Sequence, residues 1–129
     1  MVLVYVELRP AGVYSYQKPL LEKLKQRFPA GVYLDLDAFS EDYLTAQAGR
    51  LLAEADKSAV YFACTEPEAP LGPALHLAEI IIRRPANSLV ILQGKQPRLE
   101  KLFGNRENIV FAQNPSEEEF FQQLENFCF

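Results

Sequence analysis

Residues Ser58 to Arg84 read SAVYFACTEPEAPLGPALHLAEIIIRR, and the fold turns on how this stretch divides. Ala59 to Cys64 is an unbroken apolar run with Val60, Tyr61 and Phe62 at its centre. A run of strand length without polar alternation predicts a strand covered on both faces. Thr65-Glu66-Pro67-Glu68-Ala69-Pro70 follows. Its two prolines remove backbone donors and restrict the residues before them, so this piece is a loop. Gly72-Pro73 then predicts a helix start, with proline at the first helical position. From Ala74 to Arg84 a narrow polar stripe of His76, Glu79 and Arg83 interrupts a mostly apolar surface, which Arg84 breaks at its end. One apolar face suffices for a surface helix. This helix has more, so it is either deeply embedded or packed against a partner chain.

The same punctuation divides the rest of the chain. Val2 to Leu8 is apolar except for Glu7 and predicts a central strand, closed by Arg9-Pro10-Ala11-Gly12. Ser15 is placed to cap a helix running to about Phe28, with Pro19 in its opening turn. Val32 to Asp37 alternates apolar and polar residues, the pattern of a strand with one wetter face. Ser40 with Glu41 and Asp42 predicts a capped acidic helix start, and apolar residues recur at helical spacing to Asp56. Ser88 to Gln93 is a second buried strand, Pro97 to Phe103 a short helix closed by Gly104, and Asn108 to Gln113 a fifth strand. Ser116 and Glu119 form a capping box for a last helix that buries Phe120, Phe121, Leu124 and Phe127.

Five β-α units in strict alternation imply an α/β domain: three layers, αβα, around a five-stranded parallel sheet. The most uniformly apolar strands are the first, third and fourth; the second alternates and the fifth is short. Those two belong at the edges, which gives the flavodoxin-like order 2-1-3-4-5. In that order ligands bind beyond the strand carboxyl ends, where the winding reverses between strands one and three. The expected crevice is lined by Arg9 to Tyr16 and by Thr65 to Gly72.

Composition bounds the function. A chain of 129 residues is read as one domain spanning 1–129. Its net charge of −4 lacks the basic face that a phosphate-backbone binder needs, so nucleic acid is disfavoured. No apolar stretch nears the ~20 residues of a membrane span. MVLVYVELRP reads as a first strand rather than a signal peptide. Cys64 and Cys128 are expected as reduced thiols in a cytoplasmic protein. One histidine and two distant cysteines make no zinc site, no glycine-rich phosphate loop or Walker motif occurs, and no cofactor is expected. A receiver domain would need acids after strand one, an aspartate ending strand three and a lysine ending strand five. Glu7, Cys64 and Gln113 stand at about those places.

The run from Ala46 through Ala55 to Ser58, leading into Ala59-Val60-Tyr61-Phe62-Ala63, resembles the helix-to-strand passage of TIR domains. Leu75-His76-Leu77-Ala78-Glu79-Ile80 is similar to their glutamate-bearing segment, and Val32 to Asp37 to their second strand. A weaker resemblance links the chain to nucleoside deoxyribosyltransferase-like proteins, in which His76 stands where their glutamate nucleophile would fall. The chain departs from the TIR pattern in having no Trp, no aromatic before the glutamate segment and no serine-rich loop after strand one.

Both resemblances imply cleavage of an N-glycosidic bond in a nucleotide or nucleoside. Glu79 is then the carboxylate facing an oxocarbenium-like sugar, and His76 the group that orients it or exchanges a proton with the leaving base. Arg9, Tyr14, Tyr16 and Glu66 are the candidate ligand-binding residues, the tyrosines by stacking on a base. Plainer roles fit the same residues: Glu79 and Arg83 as an i, i+4 surface pair, Glu66 as a solvated loop acid, Cys64 as a small buried apolar residue. A non-catalytic assembly module and a nucleotide sensor are the alternatives. A homo-oligomer is expected, through an apolar face of the 74–84 helix or the terminal helix.

Overall fold

A computed structural model describes residues 1–9, 19–37 and 39–128. Ten elements alternate along it: β1 (Val2–Leu8), α1 (Pro19–Arg27), β2 (Val32–Asp37), α2 (Asp42–Glu54), β3 (Ser58–Cys64), α3 (Ala74–Arg83), β4 (Ser88–Gln93), α4 (Pro97–Phe103), β5 (Ile109–Gln113) and α5 (Glu117–Cys128). The strands form one parallel sheet in the order β2-β1-β3-β4-β5. This is the flavodoxin-like arrangement that the alternation and the apolar ranking of strands predict.

The strand period of two splits the core into halves. Val4, Val60 and Val90 sit in register across the sheet and point to one side, with Leu52 of α2, Leu77 and Ile81 of α3, and Phe103 of α4. Leu3, Ala59 and Leu89 point to the other, against Leu24 of α1 and Phe120 of α5. Three helices therefore cover one face and two the other. Tyr61 carries the second core outward, stacked on Tyr5 at 5.4 Å and tilted against Phe120 at 4.9 Å.

The breadth of apolar surface on α3 is used within the chain. Leu77, Ala78 and Ile81 are buried, and Ile80 and Ile82 pack partly buried on the same core. Gly49 of α2 makes room for Ile80, whose Cδ1 occupies the space a Cβ at that position would need. Flanked by α2 and α4, the helix buries most of its apolar surface within the chain, while His76, Glu79 and Arg83 stay exposed.

Several local details depart from expectation. Glu41, not Ser40, is the N-cap of α2; the Ser40 hydroxyl instead accepts the Asp37 N–H at 2.9 Å and closes the turn before the helix. That helix ends at Glu54, before Asp56. Pro73 occupies the N-cap of α3 rather than its first helical position. Val32, on an edge strand, is 47% exposed although its alternation marks it as inward. The capping box of α5 forms reciprocally: Glu119 N–H donates to Ser116 Oγ at 3.1 Å, and Ser116 N–H to Glu119 Oε1 at 3.0 Å. Both bonds hold the Glu119 carboxyl below the usual glutamate range.

Arg84 has a structural duty that its place at the end of α3 did not announce. It is 5% exposed. Its Nη1 donates to the carbonyls of Leu52, Ala53 and Ala55, and its Nε to Ser88 Oγ at 3.0 Å. A cation so placed satisfies the orphan carbonyls at the C-terminal end of α2 and complements its dipole. Burial lowers the Arg84 pKa, opposed by the nearby Asp56 carboxylate.

Candidate functional site

At the switch point the ends of β1 and β3 are tied together. Thr65 donates twice to the Leu8 carbonyl, from its backbone N–H at 2.9 Å and its hydroxyl at 3.2 Å. The Cys64 thiol, buried, donates to the Glu66 carbonyl at 3.1 Å, and burial pushes its pKa up. Such a thiol is a poor nucleophile, in keeping with its reading as a small apolar residue. Gly94, after β4, has φ +93°, and any Cβ there would overlap the Cys64 carbonyl oxygen. This close approach requires glycine.

Arg9 extends from β1 to pair with Glu7, and both are buried. The pair lies by the α1–α5 side of the sheet, where the Arg9 charge acts on Tyr5. Tyr5 is nevertheless pushed up to about 12, chiefly by burial and then by Tyr61 and Asp35. Tyr14 and Tyr16, the proposed stacking residues, and the Ser15 cap lie outside the described residues. Glu66 is exposed in the loop after β3, and its backbone carbonyl accepts from Ala69 N–H at 3.1 Å.

Glu79 and His76 stand on the opposite side of the sheet, on α3, and they share one groove. It is an open trough of about 740 Å³ between α3 and α4, within the size range of small-molecule sites. Leu75 and Leu102 supply apolar surface, Gly72 bounds one end, and Arg98 and Lys101 project from α4. His76 and Gly72 also border a second groove of about 420 Å³, which runs to Ser40, Asp42 and Thr45 at the start of α2. His76 thus sits on the saddle between the two.

Helical spacing makes this cluster. His76 and Glu79 are i, i+3 on α3, and Arg98 and Lys101 are i, i+3 on α4, so each pair lies on one face of its helix. Pro97 at the first position of α4 and the Gln96 side chain, which accepts the Arg98 N–H at 2.8 Å, set where that helix begins. All four charged or titratable side chains are exposed. Glu79 and Arg83 do not form the expected surface pair among the described residues, whose ion pairs lie elsewhere.

The fold therefore divides the candidate residues: His76 and Glu79 share a groove with two cations that sequence reading passed over, while Arg9 is held in a buried pair away from it. The signal for Arg98 and Lys101 was present as two cations one turn apart on a short helix. Only the packing of α4 beside α3 gives that spacing a meaning. Among the described residues no group of His, Cys, Asp or Glu is arranged to hold a metal ion, and no helix is long and apolar enough to cross a membrane. No protein-family model, curated protein or solved structure matches the chain.

Proposed function

We propose that the chain is a TIR-like domain that binds a nucleotide or nucleoside in the α3–α4 groove, where Glu79 assists cleavage of the N-glycosidic bond. The observation that carries this reading is that Glu79 and His76 line the same solvent-open groove. In the reaction the bond between the sugar C1′ and the base nitrogen breaks, and its electron pair leaves with the base. Positive charge develops on the sugar ring, and the Glu79 carboxylate stabilises it electrostatically. His76, one turn away, passes a proton to the departing base. Water, or another nucleophile, adds at C1′ and releases its proton to the same pair of groups.

Glu79→Gln preserves shape and removes the charge. Incubating the wild type and this variant with NAD, nucleosides and nucleotides, and following base by chromatography, tests the role. Base release by the wild type that falls at least ~100-fold in the variant is expected for loss of a charge aimed at the transition state. Equal release by both proteins removes Glu79 from the chemistry. Ligand binding without any base release favours the sensor reading.

A second reading, assembly as a homo-oligomer, has one specific support. Phe39 and Tyr43, at the entrance to α2, are 50% and 65% exposed. Large apolar side chains exposed near one another in the chain often mark contacts. Sedimentation should then show a concentration-dependent dimer that Tyr43→Ser weakens; a monomer at high micromolar concentration excludes this reading.

A further inference from the structure

Resting on the reading of the α3–α4 groove as a nucleotide or nucleoside site, we propose that Arg98 and Lys101 make it select its ligand by a phosphate group. A nucleotide then binds in preference to the corresponding nucleoside. Both cations line the groove from its α4 wall. Neither takes part in an ion pair among the described residues. The acid of α4 itself is engaged elsewhere: Glu100 Oε1 accepts from Gln113 Nε2 at 2.9 Å, which draws it toward β5. Within the groove two cations face one carboxylate, a local excess of positive charge in a chain whose net charge is −4.

That excess has a direction. Glu79 repels a phosphate, and α4 attracts one. A nucleotide therefore enters with its phosphate toward Arg98 and Lys101, which turns the sugar toward the α3 wall where Glu79 and His76 stand. The guanidinium offers a fork of donors that matches two phosphate oxygens, and the ammonium adds a mobile point charge. Leu75 and Leu102 give the sugar and base an apolar surface to cover. The two cations thus set both preference and orientation, without touching the bond that breaks.

The test is calorimetric titration of the wild type with the four common ribonucleosides and their 5′-monophosphates. It is repeated on an Arg98→Gln/Lys101→Gln double variant and on Arg98→Lys/Lys101→Arg, with circular dichroism as the check on folding. At least one monophosphate should bind roughly tenfold tighter than its nucleoside. The advantage should shrink as salt rises. It should vanish in the double glutamine variant and persist in the charge-conserving variant. Nucleosides that bind as tightly as their monophosphates overturn phosphate selection and leave the underlying reading standing. An advantage that survives the double glutamine variant overturns the assignment to these two residues. If neither class binds the wild type, the nucleotide or nucleoside reading falls, and this proposal with it.

Discussion

The two faces of the sheet treat charge in opposite ways. On the α1–α5 face, Lys23 pairs with Glu117 at 2.8 Å and Arg27 with Glu125 at 3.4 Å, and both pairs join α1 to α5. The Arg27 guanidinium also lies over the Phe28 and Phe121 rings, 5.7 and 5.2 Å from their centroids. Between α3 and α4, by contrast, Glu79, Arg98 and Lys101 border an open groove without ion-pair partners among the described residues. Charges on the first face help hold helices together. Glu79, Arg98 and Lys101 do nothing of the kind, unlike the buried Arg84 on the same face, and groups without a structural duty are the ones free to meet a ligand. Substitutions on the two sides should therefore divide into changes felt by the fold and changes felt by binding.

The largest expected effect is on the closed face. Phe120 is 1% exposed and packs against Tyr61 and Phe121. Phe120→Ala leaves a cavity where α5 meets the sheet and should cost about 3–5 kcal/mol in urea unfolding. A cost below about 1 kcal/mol would show that α5 contributes little to the core, and the contrast between faces would fail at its strongest point.

Next comes a pair of adjacent arginines on the other side. Arg84→Met removes the Arg84 donors from the α2 carbonyls, leaving Leu52 only the Ser58 hydroxyl among the described residues, and should cost about 2–3 kcal/mol. Arg83→Met, one residue earlier and exposed, should change stability by less than about 0.5 kcal/mol. Equal costs at the two positions would mean that the buried cap is not what fixes the end of α2.

That arginine pair shows where sequence reading ran out. The order of strands was legible because the apolar content of β1, β3 and β4 is a direct consequence of burial on both sides. The capping box of Ser116 and Glu119 was legible because both partners lie within one turn. Arg84 and Arg83 look alike in sequence; what separates them is a contact with carbonyls some thirty positions earlier in the chain. The groove is of the same kind. That Glu79 and His76 share a stripe was legible on one helix, but Arg98 and Lys101 belong to a different β-α unit and come beside them only through packing. Arg9 follows β1 at its carboxyl end, and its pairing with Glu7, two residues back, is a contact that position alone did not announce.

A pH titration probes the closed face at a second site. Tyr5 is raised from 10.0 to about 12, so its protonated form is favoured by the folded state. A folded-state pKa above the unfolded value contributes stability that is present in full below the unfolded pKa. It is lost as pH rises through the folded one. The wild type should therefore lose stability between pH 10 and about 12. Tyr5→Phe should lose less across that window, and Tyr61, also raised by burial, keeps part of the slope. An unchanged slope in the variant would show that the phenol of Tyr5 is already solvated in the fold.

The smallest effect carries the sharpest sign. Arg98 lies in the first turn of α4, where the helix dipole disfavours a cation, and it is three residues from the like charge of Lys101. Lys101 lies in the last turn, where the dipole favours it. Arg98→Gln should thus stabilise the fold by about 0.3 kcal/mol at low ionic strength, fading as salt screens the charges. Lys101→Gln, which loses a favourable dipole contact as it relieves the same repulsion, should be close to neutral. The measurement is the shift in urea midpoint for each variant at low and high salt. A cation that costs the fold slightly has no structural duty there, and this one borders the groove. If Arg98→Gln were instead destabilising by more than about 1 kcal/mol, Arg98 would belong with Arg84 among the structural cations. The open face would then no longer differ from the closed one in the way its charges are used.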